Sequence, residues 1–353
     1  MAQKTRLLLH GVTGRMGRAR HLQGAILALR ESGVELELTL AGRSLDQLTA
    51  LTSSIGAKTT VDLSASLSTG EFDLFFDASS PLIRPSLITQ SLEAGVGVYT
   101  EKPIALSVDL ARKLHALATA KKLFTGIVQD KLFTTGFRAA KSALDENVIG
   151  EIYDIRCEFG YWVETGLDGK PINRPSWNFQ KELGGSLIPD LFSHWNYIIE
   201  LVDQIQGVSA ITKTHIARRE NERGDSFEVT IPDIAHVIFN TDSGITGSVS
   251  SSWVQRPLVP FTMRVFGSQG ALHITPTECS LQSPTSTTDM IVKFGITPED
   301  EFLGQWRQVI CAIQGNQRVA FDFGSALRQA ELCAAIEKSA SDQIYVTVER
   351  QNK

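Results

Sequence analysis

Three glycines, Gly11, Gly14 and Gly17, stand between a short apolar run at 5–10 (TRLLLH) and a stretch over about 16–31 in which Leu22, Ala25, Ile26 and Leu29 recur at helical spacing. A strand, a glycine turn and a helix in that order leave backbone N–H groups uncovered at a helix N-terminus, where an anion such as a pyrophosphate can approach the main chain. The spacing is GxxGxxG rather than GxGxxG, so the turn takes its meaning from the strand before it and the helix after it. The alternation then continues with strands at 35–41, 73–78, 97–100 and 123–128 and helices at 45–54, 83–94 and 107–121. Strands alternating with helices predict a parallel sheet covered on both faces. Residues 1–125 therefore read as a doubly wound α/β (Rossmann) domain that binds a dinucleotide.

Beyond that point the rhythm changes. A helix over 134–149 and a long strand at 151–163 precede a loop rich in Gly, Pro and Asn at 164–185, and another helix starts near Pro189. Strand patterns follow at 207–216, 227–240, 244–254, 261–266 and 271–275, punctuated by glycine turns. Helices at about 300–314 and 324–340 and a strand at 343–349 close the chain. Residues 126–353 read as an α+β domain built on a large open mixed or antiparallel sheet, expected to carry substrate binding and oligomerisation.

The length of 353 residues suits two such domains. With 34 basic against 39 acidic residues, a net charge of -5 argues against a dedicated nucleic-acid binder. The run Leu7-Leu8-Leu9 is too short for a signal core or a spanning helix, so a cytoplasmic location with no membrane partner is expected. Cys157, Cys279, Cys311 and Cys333 stand far apart with no CxxC pair; they are expected to be buried, reduced thiols, and no metal site is expected.

The carboxylate that usually follows the second strand, and that would bind both ribose hydroxyls, is missing; Gly42-Arg43-Ser44 occupies its place. A guanidinium there pairs with a 2′-phosphate and a serine adds a donor, which favours NADP over NAD. The candidate cofactor contacts are Gly11, Thr13, Gly14, Arg15, Met16 and Gly17 of the turn, with Arg43, Ser44, Ser79, Glu101 and Lys102.

Two further motifs sharpen the reading. Thr100-Glu101-Lys102-Pro103 ends a predicted strand of the first domain, and Gly184-Gly185-Ser-Leu-Ile-Pro-Asp190-Leu-Phe-Ser-His194 places Asp190 and His194 one helical turn apart on one face. With the glycine turn upstream, the helix ending at Val148-Ile-Gly150, Pro232-Asp233 and the Gly267…Gly270-Ala-Leu turn, the whole chain resembles the Gfo/Idh/MocA family of oxidoreductases. The resemblance implies that Lys102, Asp190 and His194 surround a nicotinamide: His194 as acid/base, Lys102 stabilising the developing oxyanion, and Asp190 holding the substrate hydroxyl or orienting the histidine. It also implies a sugar, cyclitol or glycoside as substrate, and a homodimer or homotetramer.

Aromatic and polar residues around those motifs are the candidate substrate contacts: Tyr161, Trp162, Arg174, Trp177 and Asn178, together with Lys102, Lys131, Asp190 and His194. The chain departs from the family pattern at Phe192, where glycine is usual, at Gln129-Asp130-Lys131 and at Arg43-Ser44. Lys131 reads equally as a substrate-facing charge or as half of a structural ion pair. Two rival readings remain at this level: a redox-assisted glycoside hydrolase on the same fold, and a non-catalytic cofactor-sensing protein.

Overall fold

Consecutive apolar positions such as Leu7-Leu8-Leu9 and Phe75-Phe76 suit strands buried on both faces, and all five side chains are fully buried. A computed structural model describes residues 4–53, 55–165, 173–282, 290–291, 300–315 and 317–348. Strands β1 (Thr5–His10), β2 (Leu36–Ala41), β3 (Lys58–Thr60), β4 (Leu74–Asp77), β5 (Gly97–Thr100) and β6 (Thr125–Ile127) form a parallel sheet in the order β3-β2-β1-β4-β5-β6. The doubly wound expectation holds. The order reverses between β1 and β4, so the carboxyl ends of those two strands flank a crevice of the kind in which open α/β sheets bind ligands.

Contacts divide the chain into two compact units, Met1–Phe133 with Glu299–Leu327, and Thr134–Pro298 with Arg328–Lys353. The first unit thus extends past 125 and takes back a segment from near the end of the chain. The reason is packing: in the helix Glu301–Gln314, Trp306 Nε1 donates to His21 Nδ1 at 3.0 Å, and Gln305 accepts from the Tyr99 hydroxyl at 2.7 Å. Helical periodicity reveals that such a helix exists but not which sheet receives it.

In the second unit the strands are β7 (Ile152–Trp162), β8 (Glu164–Thr165), β9 (Asn173–Arg174), β10 (Ile205–Lys213), β11 (Arg218–Glu220), β12 (Ser226–Glu228), β13 (Ile234–Thr241), β14 (Thr246–Ser252), β15 (Val254–Gly267), β16 (Gly270–Ile274), β17 (Cys279–Gln282), β18 (Met290–Ile291) and β19 (Val346–Thr347). Nine of them make one sheet, β18-β17-β16-β15-β7-β14-β13-β10-β19, antiparallel except for the β7–β14 pair. The expected mixed sheet is therefore present. Helix Ser193–Glu200 lies against one face, where Trp195 stacks on Phe261 with centroids 3.7 Å apart and donates from Nε1 to Ser251 at 3.1 Å. Trp195 is fully buried in the core. On the other face, outward-pointing positions of β10 and β13 leave Ile211 and Ile238 73% and 63% exposed.

Cys157, Cys279 and Cys333 are buried, whereas Cys311 lies exposed on its helix, contrary to the expectation that all four would be buried. Burial alone pushes the Cys157 thiol far up and Cys279 to about 12. No described helix is long and apolar enough to cross a membrane. Among the described residues no three His, Cys, Asp or Glu side chains gather as a metal-binding group.

Candidate active site

Every cofactor candidate of the first unit lies at or just beyond the carboxyl end of a parallel strand, because in a parallel sheet all strands deliver their ends to one edge. Gly11 follows β1 with φ +77°, and a Cβ there would lie 2.6 Å from the Ala78 carbonyl carbon. A Cβ on Gly17 would lie 2.4 Å from the Gly11 oxygen. Both positions therefore exclude a side chain, while Gly14 closes the turn by donating its N–H to Gly11 at 3.1 Å. Thr13, Gly14, Arg15 and Met16 are exposed at the start of the helical segment, leaving the turn open to an anionic group.

Arg43, beyond β2, is exposed, and among the described residues it has no ion-pair partner. Ser44 is the N-cap of helix Leu45–Thr52 and accepts from the Gln47 N–H at 3.4 Å. Ser79 follows β4 and donates to the Asp77 carboxylate at 2.8 Å. Glu101 follows β5 and meets His21 Nε2 at 2.9 Å. Since the Trp306 indole can only donate, His21 Nδ1 must accept, and His21 presents its proton to Glu101 from Nε2. Burial pushes Glu101 up, but the His21 hydrogen bond and the positive charges of Arg84 and Lys102 outweigh it and hold this carboxyl below the usual range. Lys102 is half-buried beside it. Lys131 forms a 2.7 Å ion pair with Asp130, the structural alternative of the two readings; burial opposes its charge, and Asp130 more than offsets that, raising the amine above its ordinary value.

Three polar residues at this edge were not singled out in the sequence: His10, Asp77 and Arg84. His10 Nδ1 lies 2.8 Å from Asp77, and Arg84 Nε lies 3.3 Å from the same carboxylate. The available signal was position, since His10 and Asp77 each close an apolar strand with a polar residue.

The second unit gathers four of its candidates into one cluster. Arg174 Nη2 lies 2.7 Å from Asp190 Oδ2 and donates to the Tyr161 hydroxyl at 2.8 Å, while Nη1 reaches Asn178 Oδ1 at 3.4 Å. The guanidinium also lies over the Trp253 ring, 4.7 Å from its centroid. Burial opposes the cation, yet Asp190 and Tyr161 hold it above the ordinary arginine value. Gly185 makes this possible, since a Cβ there would lie 2.3 Å from the Asn178 oxygen. His194 is the second residue of the helix Ser193–Glu200, which follows Ile188–Phe192, and its exposed fraction is 8%. Phe192, the departure from glycine, is fully buried in the core.

Trp162 is not brought into this cluster. Successive strand residues point to opposite faces, so with Tyr161 inward Trp162 turns away, donating to Glu164 at 2.5 Å with Arg256 stacked 4.1 Å above it. Trp177 sits half-buried in the turn Ser176–Phe179, its backbone packed against Gly185.

The GFO/IDH/MocA C-terminal domain family matches residues 137–273. The chain is 32% identical over 323 residues to D-xylose dehydrogenase of Paenarthrobacter nicotinovorans, covering 86% of this chain and 82% of that protein. Its fold is shared with an NAD binding oxidoreductase from Klebsiella pneumoniae (TM-score 0.84, 21% identity, 99% and 100% of the two chains). It is shared as well with levoglucosan dehydrogenase in complex with NADH and L-sorbose (TM-score 0.86, 19% identity, 98% and 99%). The chain belongs to the Gfo/Idh/MocA family of oxidoreductases.

Proposed function

We propose that the protein is a nicotinamide-dependent dehydrogenase or reductase acting on a carbinol or ketone carbon of a sugar, with NADP favoured over NAD. The observation that carries the reading is the convergence of the glycine turn, Arg43, Glu101 and Lys102 on the carboxyl edge of the parallel sheet. The 32% identity to a D-xylose dehydrogenase supports an aldose or a related polyol as substrate. Arg43, lacking an ion-pair partner among the described residues, is the charge suited to a 2′-phosphate.

A bound nicotinamide supplies the hydride acceptor in oxidation and the donor in reduction. Oxidation of a carbinol also releases the hydroxyl proton, and a neutral imidazole at His194 accepts it; in reduction the imidazolium returns it. Lys102 places positive charge where the oxygen becomes negative. Asp190 accepts a hydrogen bond from a sugar hydroxyl while Arg174 keeps its carboxylate in place. Aldoses, cyclitols and their keto forms assayed at 340 nm with both cofactors test the reading. Stoichiometric absorbance change, lost about a hundredfold in kcat in His194→Ala, is the expected result. Release of an aglycone without net cofactor turnover would replace it with the hydrolase.

We further infer a homodimer or homotetramer. The open face of the nine-stranded sheet carries exposed Ile211 and Ile238 among polar neighbours such as Ser209, Ser248 and Arg156, a broad mixed surface suited to burial against a second copy.

A further inference from the structure

Arg84 breaks two local rules at once. It is the first residue of helix Arg84–Glu93, where a cation opposes the helix dipole, and it is only 2% exposed beside Asp77, which is fully buried. Such an ion pair is a costly way to gain stability, because an apolar pair of the same volume is often as good or better. Local rules broken without a stability gain mark a functional position.

Its three nitrogens all donate at the carboxyl edge. Nε reaches Asp77 Oδ2 at 3.3 Å, Nη1 donates to the Pro103 carbonyl at 2.6 Å, and Nη2 donates to the Ser79 carbonyl. Pro103 directly follows Lys102, and Glu101 directly precedes it. Glu101 is held by its carboxylate to His21 at 2.9 Å and by its N–H to the Asp77 carbonyl at 2.9 Å. The peptide that carries Lys102 is thus fixed on both sides, by His21 through Glu101 and by Arg84 through Pro103.

We propose that Arg84 is a positioning residue for Lys102, its planar fork fixing the Ser79 and Pro103 carbonyls so that the lysine amine is presented at the sheet's carboxyl edge. The catalytic consequence rests on the role given to Lys102 under the proposed function, whereas the positional link does not. A lysine at 84 keeps the charge but loses the fork, because an ammonium is a point donor that cannot hold divergent carbonyls together.

The test compares Arg84→Lys and Asp77→Asn with Lys102→Met and the wild type. Three quantities are read: kcat, NAD(P)H affinity by fluorescence, and the pH dependence with which an amine-reactive ester labels Lys102, followed by mass spectrometry. Arg84→Lys is expected to lower kcat at least tenfold, to lower NAD(P)H affinity by a clearly smaller factor, and to displace the Lys102 labelling profile. Asp77→Asn, which keeps the guanidinium but removes the carboxylate charge that its Nε faces, is expected to shift the same profile less, and it answers the question if Arg84→Lys does not fold. Unchanged labelling in the folded variants overturns the proposal, as does loss of kcat and cofactor affinity in equal proportion. Full activity in Lys102→Met would sink the catalytic reading of Lys102, while the labelling profile would still decide whether Arg84 positions it.

Discussion

Arg174 has five N–H donors in a rigid fork, and the second unit uses them to bind Tyr161, Asn178 and Asp190 together over the Trp253 face. Removing it leaves a mostly buried carboxylate without its cation. Arg174→Met is therefore expected to cost about 2–3 kcal/mol, somewhat less than a fully buried pair because both side chains keep some exposure, and a lowered urea midpoint would register it. In the first unit Glu101 gives a pH signature. Its folded value lies below its unfolded one, so its stabilising contribution is complete above the ordinary glutamate range near about 4.3 and fades as pH falls through the lower folded value. Glu101→Gln is expected to be less stable than the wild type at pH 7, with the gap closing towards pH 3 in denaturation curves; a gap independent of pH would contradict the assignment. Residue types were legible here, since Arg174, Asn178, Asp190 and Tyr161 were all singled out as substrate contacts. Their pairing with one another was not, because residues 161, 174, 178 and 190 meet only through tertiary folding.

Among the elements, the glycine turn was the most legible, because its constraint is local. A side chain at Gly11 meets a positive φ and the Ala78 carbonyl carbon at 2.6 Å, so Gly11→Ala is expected to lower NAD(P)H affinity at least tenfold and to lower Tm, measured by titration and calorimetry. Retained affinity would remove the turn from the cofactor site. The apolar strands β1 and β4 were equally plain. Strand β3, Lys-Thr-Thr, and the helix Leu63–Ser68 after it were not foreseen, since a polar edge strand and a six-residue serine-rich helix carry little periodicity. Of the final strand expected over 343–349, whose last residue lies outside the described residues, the described part pairs at Val346–Thr347 along the edge of β10. At β7 the period of two settled a question that composition left open: adjacent aromatics Tyr161 and Trp162 cannot serve the same face.

At the scale of the molecule, the open face of the nine-stranded sheet, with Ile211 and Ile238 exposed among polar neighbours, is the surface offered to a second copy. Ile238→Lys places a charge on that face, opposite Ser209 of β10, and is expected to shift a dimer or tetramer to monomer in light scattering while leaving the fold intact. A wild-type monomer would end that inference. The class of each half was legible from the residues alone, because alternation of strand with helix and the spacing of glycines are local patterns that survive without knowledge of partners. The sequence also supplied the residue types that chemistry at a nicotinamide needs. Three-dimensional packing decided the rest: that the helix Glu301–Gln314 returns to the first unit, that Lys131 pairs with Asp130, and that His21 and Arg84 secure the peptide around Lys102 from either side. Those outcomes depend on which groups, distant in the chain, share a low-dielectric interior and must satisfy one another's hydrogen bonds there, and periodicity along the chain carries no record of it.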